Sequence, residues 1–259
     1  MTTPITPIKK ISYSELKDWA KCPHYHKIAW VNRISVFEGN EYTAFGTAAH
    51  TVCEKKLLQL APDDNLFNQE FEKLIEKLVS KNVEMKQENI DAMCTQGPAV
   101  LAEVDEALKS YFGEYEVVSS EELLMVPIDN SEYKFKGFVD AVVKVGDTYH
   151  LFDWKTCSWG WDSRRRADKM TTYQLTLYKY FFCKKHDIDP GQVETHFALL
   201  KRTAKKNRVE IFRVTSGEKK TKNALKLLEH ALYNISKKRY IKNRLSCRGC
   251  DLYKTKHCP

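Results

Sequence analysis

Residues 133–156 read YKFKGFVDAVVKVGDTYHLFDWKT, and no other stretch constrains the fold as tightly. Two runs rich in β-branched and aromatic residues flank Gly146-Asp147, a pair suited to a two-residue II′ turn, so a β-hairpin is expected. If Val145 faces Thr148, the register of the whole hairpin follows, and counting outward from the turn brings Asp140 opposite Asp153. Directly opposed residues have Cβ atoms about 4.5–5.5 Å apart. Lys155, two residues beyond Asp153, shares its face by strand alternation. Two carboxylates so close repel unless a cation lies between them, and a hard divalent ion such as magnesium takes oxygen ligands in this way. The lysine could then orient water and stabilise charge on a phosphorane. The plainer reading is a solvated cross-strand cluster in which Lys155 only neutralises the two aspartates.

Around this hairpin the chain reads as mixed α/β. Strands are expected near 115–128, 133–145, 148–156, 192–201 and 207–215, with helices near 168–186 and 217–240. Ser12-Tyr13-Ser14-Glu15 has capping-box spacing and opens a short helix that Cys22-Pro23 ends. A second helix is expected over Thr47 to Leu60, closed by Pro62-Asp63-Asp64, with His50 and Glu54 on one face. Helical periodicity over 67–80, 87–95 and 98–112, polar in composition, suggests a helical insertion or cap. The 259 residues are read as one domain: an insertion over 61–112, a core sheet over 114–215, and a cap made from 1–30 and 241–259.

The chain has 42 Lys and Arg against 34 Asp and Glu, a formal charge of +8, with the excess after residue 160. Such a surface favours a polyanion. Candidate phosphate contacts are Arg164, Arg165, Arg166 and Lys169, then Lys201 and Arg202 in the run to Arg208, with a further basic stretch from Lys237 to Arg244. Any one of these could equally be solvated surface. There is no run of about 18 apolar residues and no apolar core in MTTPITPIKK of the kind a signal peptide needs. The reading is therefore a cytoplasmic protein without a membrane partner. No GxxxxGK[ST] phosphate loop occurs, so nothing suggests nucleotide hydrolysis by this chain.

Gly46-x-x-x-His50, Gly137-Phe-Val-Asp140, Asp153-Trp-Lys155 and Gln174-Leu-Thr-Leu-Tyr178, in that order, resemble the motif set of RecB-like PD-(D/E)XK nucleases. The resemblance implies that His50, Asp140, Asp153 and the Trp154 carbonyl hold a magnesium or manganese ion and that Lys155 is catalytic. It further implies that Gln174 and Tyr178 face the site and that a glutamate of the preceding strand joins it, Glu121 as the better match and Glu122 as the alternative. The family often has glutamate where Asp153 stands, which shortens the ligand and keeps its charge.

In the cytosol expected for this chain, reducing conditions disfavour disulfides among its eight cysteines. Cys53, Cys94, Cys157 and Cys183 stand alone and read as small core residues. Cys247, Cys250 and Cys258 crowd the C-terminal tail, where CxxC is a chelating spacing, and Cys22 supplies a fourth thiol. One cysteine near the start and three at the end is similar to the iron–sulfur nucleases of the AddB and CRISPR-associated exonuclease families, which implies a 4Fe-4S cluster. A zinc site, with His24 or His257 replacing a cysteine, remains the alternative on spacing alone.

The fold expected is therefore a PD-(D/E)XK, restriction-endonuclease-like core: a mixed central sheet flanked by helices, with a cluster-bearing cap joining the termini. The activity expected is metal-dependent hydrolysis of DNA, first as an exonuclease on single strands or DNA ends in repair, recombination or phage DNA processing, second as an endonuclease. The rivals are a zinc-containing nucleic-acid-binding module without catalysis and a nuclease subunit working with a helicase, recombinase or integrase.

Overall fold

The computed structural model describes residues 8–35, 37–60 and 63–259; the helix stop expected at Pro62 and most of the MTTPITPIKK stretch lie outside them. The first elements are β1 (Lys10–Ser12), α1 (Tyr13–Lys21) and α2 (Pro23–His26), which runs on into a π-helical turn, Lys27–Val31. Four helices follow: α3 (Glu41–Leu57), α4 (Leu66–Val79), α5 (Gln87–Leu101) and α6 (Val104–Phe112). The strands β2 (Glu116–Pro127), β3 (Lys134–Val145) and β4 (Thr148–Cys157) lead to α7 (Ser163–Ala167) and α8 (Lys169–His186), then β5 (Val193–Lys201), β6 (Val209–Arg213) and α9 (Glu218–Ser236).

Local chemistry explains where several elements begin. Ser12 caps α1 by accepting from the Glu15 N–H at 3.2 Å, but the return half of the capping box is missing because Glu15 bonds His26 Nε2 at 2.8 Å instead. Helix α3 starts at Glu41 rather than Thr47, since Asn40 and Thr43 form a reciprocal capping box that the sequence reading passed over. Helix α5 runs through Pro98 without a break, so the expected division at 95–98 moves to residues 102–103.

The hairpin register is as calculated, with Val145 opposite Thr148 and Ala141 opposite Phe152. Gly146 takes φ 56, the left-handed position of its turn. Strand β2 runs antiparallel along one edge of β3 over nearly its whole length. The other edge of β3 is shared: β1 pairs with Lys134–Lys136 in parallel, and β4 pairs with Ala141–Val145. Residues 137–140 lie between these two partners, where the sheet forks. Strand β4 then continues parallel to β5, and β6 closes the sheet.

Each face of the sheet is covered. Leu16 of α1, Leu175, Leu177 and Phe181 of α8, and Leu228 and Leu232 of α9 pack with Val139, Leu151 and Phe197 on one face. Phe45 of α3, Phe67 and Phe71 of α4, Met93 of α5 and Leu108 of α6 pack with Ala141, Phe152, Trp154 and Ala198 on the other. Helices α4 to α6 thus build the second half of the core, where a polar insertion was expected. Their outward faces carry the polar residues while the buried stripe holds the aromatic ones. The architecture is the expected mixed sheet flanked by helices. Among the described residues no helix is long and apolar enough to cross a membrane.

Candidate active site

The fork in the sheet gathers the chemistry. Asp140 is the last residue of β3 before its ladder with β4 begins, and the Trp154 N–H donates to Asp140 Oδ2 at 2.7 Å, carrying the pairing one step further through a side chain. Asp153, only 2% exposed, accepts from Gln174 Nε2 at 2.6 Å on one oxygen and is ion-paired with Lys155 on the other. Gln174 also donates to the Tyr178 hydroxyl at 3.3 Å, as residues one helical turn apart can. His50 reaches in from α3 on the opposite face, its Nδ1 3.5 Å from Asp140 Oδ2. Ligand atoms of His50, Glu121 and Asp140 all lie within 4.8 Å of one another.

The two glycines of the motif set stand at close packing contacts. A Cβ on Gly137 would stand 2.8 Å from Tyr178 Cε1, so a side chain there pushes Tyr178 away from Gln174. A Cβ on Gly46 would meet Thr156 Oγ1 at 3.3 Å, where α3 crosses β4. Glu121 stands opposite Asp140 in β2 with φ 50, a left-handed conformation that costs a non-glycine residue roughly 1–3 kcal/mol and gathers at functional sites. Glu122, the alternative, points away to Lys185 and His186.

Electrostatics set this cluster apart from a solvated surface group. Burial, then the charge of Asp153, holds the Asp140 carboxyl well above the usual carboxylate range. Glu121 is raised by burial and by the negative charges of Glu54 and Asp153. Burial, which outweighs the opposing charge of Asp153, lowers the pKa of His50. Carboxyls of Asp140 and Glu121 crowded by like charge beside an imidazole form a donor set that a hard divalent cation satisfies.

A stability prediction follows for protein kept in EDTA. Because the folded Asp140 carboxyl holds its proton more tightly than the unfolded one, folding takes up protons between about pH 4 and the raised folded value. Unfolding free energy should therefore fall as pH rises through that window, and Asp140→Asn should flatten the decline. Parallel denaturation curves for the two proteins across pH 4–8 would contradict it.

The cleft above these groups measures about 450 Å³ and includes residues that the sequence reading missed: Lys10, Ser12, Tyr13, Trp30, Lys136 and Phe138. Tyr13 is 5% exposed and its hydroxyl has no partner; burial and nearby Asp168 push its pKa upward. Trp30, held by its Nε1–H to Asp18 at 2.9 Å, and Phe138 are 38% and 40% exposed. A three-residue parallel strand shows no alternation, so nothing in the sequence announced that β1 carries this wall to the fork.

The basic candidates divide. Arg166 pairs with Glu210 and donates to the Trp161 carbonyl, Lys201 Nζ is 3.4 Å from Glu210, and Arg202 donates to Gln96 and Ser158 while lying over the Tyr42 ring. These three are bonded within the fold. Arg164 and Lys169 are exposed, and Arg165, also exposed, stacks on Trp161.

The cysteine segments meet as well. Cys22 Sγ accepts from the Asn243 N–H at 3.3 Å, Asn243 Nδ2 donates to the Lys21 carbonyl at 2.9 Å, and the His24 N–H reaches the Ile241 carbonyl at 3.3 Å. Cys258 is buried with Ile28 and Leu252, and Cys250 packs beside them. All eight thiols are free, and among the described residues no three cysteine sulfurs come within 4.8 Å of one another.

A mixed sheet that forks at Asp140, beside a strand carrying Asp153 and Lys155 and covered by helices on both faces, is the class of fold to compare with known proteins. Residues 10–255 match the PD-(D/E)XK nuclease superfamily, and the chain belongs to it. Among solved structures, a protein from Eubacterium rectale described as a candidate exonuclease is similar over 94% of this chain and 86% of its own, at 15% identity and a TM-score of 0.61. A structure described as SSO0001 is similar over 96% of this chain and 87% of its own, at 13% identity and a TM-score of 0.41. No curated protein matches in sequence.

Proposed function

We propose that this chain is a metal-dependent deoxyribonuclease acting as an exonuclease on single-stranded DNA or DNA ends. One observation carries the reading: His50, Glu121 and Asp140 converge where the sheet forks, with Asp153 and Lys155 beside them on β4. His50, Glu121, Asp140, Asp153 and the Trp154 carbonyl would hold magnesium or manganese, which supplies Lewis acidity toward a phosphodiester and its attacking water. Gln174 fixes the Asp153 rotamer through its amide. Lys155 places a positive charge beside Asp153, where charge on the phosphoryl oxygens grows as water attacks in line and the sugar oxygen departs.

The cleft supports a single strand as substrate. Exposed Trp30 and Phe138 on its walls can each stack on a base. Exonuclease action is tested by incubating end-labelled linear and covalently closed single-stranded DNA with protein and Mg²⁺ or Mn²⁺. Short products from the linear strand with the circle intact are expected; cutting of the circle at a similar rate makes the enzyme an endonuclease. Trp30→Ala should weaken single-strand binding by about 1–3 kcal/mol, and unchanged affinity would remove Trp30 from the path.

For backbone contacts the reading rests on Arg164, Arg165 and Lys169. Reversing their charge should lower affinity for unrelated sequences alike and flatten the salt dependence. Arg202→Ala should instead lower stability, because it removes a strut between Gln96 and Ser158. A strong sequence preference surviving high salt would contradict this assignment.

We also infer that Cys22, Cys247, Cys250 and Cys258 hold a 4Fe-4S cluster. Cys22 already lies against the C-terminal segment that carries the other three thiols, through the Asn243 N–H, and the one-plus-three arrangement favours a cluster over zinc.

A further inference from the structure

The sheet carries a second donor set on the face opposite Asp153. His150 of β4 is in register with Glu194 of β5, and His196 follows two residues on, so alternation points all three toward α6. His150 Nδ1 and His196 Nε2 stand 3.0 Å apart. Glu194 Oε2 lies 3.7 Å from the first and 3.8 Å from the second, too far to bond either ring, yet aimed at both. Three atoms so spaced have a common point about 2 Å from each, which is the length of a Zn–N or Zn–O bond. We propose that His150 Nδ1, His196 Nε2 and Glu194 Oε2 form a second metal site, taking a borderline divalent ion such as Zn²⁺.

The surroundings are those of a ligand set. Glu194 Oε1 accepts from Arg213 Nη2 at 2.9 Å, which orients the carboxylate and leaves its other oxygen to face the imidazoles. The Tyr111 hydroxyl lies 3.3 Å from His196 Nδ1, an outer partner of the kind that orients a ligating imidazole. His196 is 1% exposed, packed edge-on by Tyr111 and Phe112, whereas His150 and Glu194 are partly exposed and leave a path for the ion. Two nitrogens and one oxygen favour zinc, whereas the carboxylate-rich fork favours magnesium or manganese, so donor softness sorts the two ions. A bound ion would tie β4 to β5 three residues before Asp153, bracing the strand that carries Asp153 and Lys155.

The full chain is titrated with Zn²⁺ in excess Mg²⁺, and zinc equivalents are counted by elemental analysis after desalting. Wild type and Asp140→Asn should each hold one equivalent more than Glu194→Gln and His150→Asn. The loss in affinity should exceed the ~10–100-fold typical of outer-partner substitutions. A second measurement needs no variant: histidine-ring ¹⁵N spectra of the wild type should show two imidazoles shifting together, saturating at one equivalent of this ion. Equal zinc content in all four proteins, or ring resonances unmoved by excess Zn²⁺, would leave a hydrogen-bonded histidine pair and overturn the site.

Discussion

Asp153→Ala protein is expected to fold and bind single-stranded DNA while hydrolysing it at least about 10³-fold more slowly. Metal polarisation of a phosphoryl oxygen supplies several kcal/mol, each 1.4 kcal/mol being tenfold in rate, and Asp153 would be the most enclosed carboxylate holding that metal. The neighbours should grade below it. Lys155→Ala removes one stabilising charge, a loss of about 10²–10³-fold. Gln174→Ala frees the Asp153 rotamer, an outer-shell effect of about 10–100-fold. Without metal, Asp153→Ala also relieves the repulsion that raises Asp140, so its stability in EDTA should not collapse. Single-turnover assays of the three variants check the order, and near-wild-type cleavage by Asp153→Ala would sink the assignment.

The second large effect concerns the cysteine cap. Cys22 and Cys247 are far apart in sequence, which suggests a closure cost of roughly 5 kcal/mol or more for the intervening loop. The fold removes most of that cost, because Leu16 of α1 already shares a core with Leu228 and Leu232 of α9. What remains to be closed is the tail after Ser236, a loop costing about 3 kcal/mol. A few interterminal hydrogen bonds at about 1 kcal/mol each, and the small cluster of Ile28, Leu252 and Cys258, barely match it, while Ile241 and Leu245 stay exposed. Thiolate ligation, with apparent energies of about 10–16 kcal/mol for structural metal sites, decides the balance. Serine at any one of Cys22, Cys247, Cys250 or Cys258 should therefore bleach the protein, free the tail to proteases and lower Tm by about 6–12 °C. Cys53→Ser should leave metal content unchanged. Cys22→Ser protein with a full complement of iron, or anaerobic protein with neither iron nor zinc, would refute the clasp.

The hairpin was legible because its turn residues and alternation fix a register with no tertiary information, and Asp140, Asp153 and Lys155 come with it. The remaining site residues were reached only through the order of their motifs. Glu121 shows why: nothing in the sequence announces that residue 121 adopts φ 50, the distortion that accompanies its placement beside His50 and Asp140. The cleft walls were invisible for another reason, since Lys10 and Ser12 lie on a three-residue strand and Trp30 on a π-helical turn, neither of which carries a periodic signal. Composition over-read the basic runs, because charge along the chain does not reveal that Arg166, Lys201 and Arg202 find partners inside the fold. Polarity likewise hid the second core, whose Phe67, Phe71 and Met93 face inward from helices that are mostly polar by count.

The central claim is that the fork hydrolyses DNA through a divalent ion held by Asp140 and its neighbours. It is tested most directly by following Mn²⁺ binding and cleavage of end-labelled single-stranded DNA in one titration, for wild type and Asp140→Asn. Cleavage should be absent in EDTA, rise in step with occupancy of a wild-type site, and vanish together with that site in the variant. Cleavage that persists in EDTA, or Asp140→Asn protein that cuts as fast as wild type at the same Mn²⁺ concentration, would contradict the account.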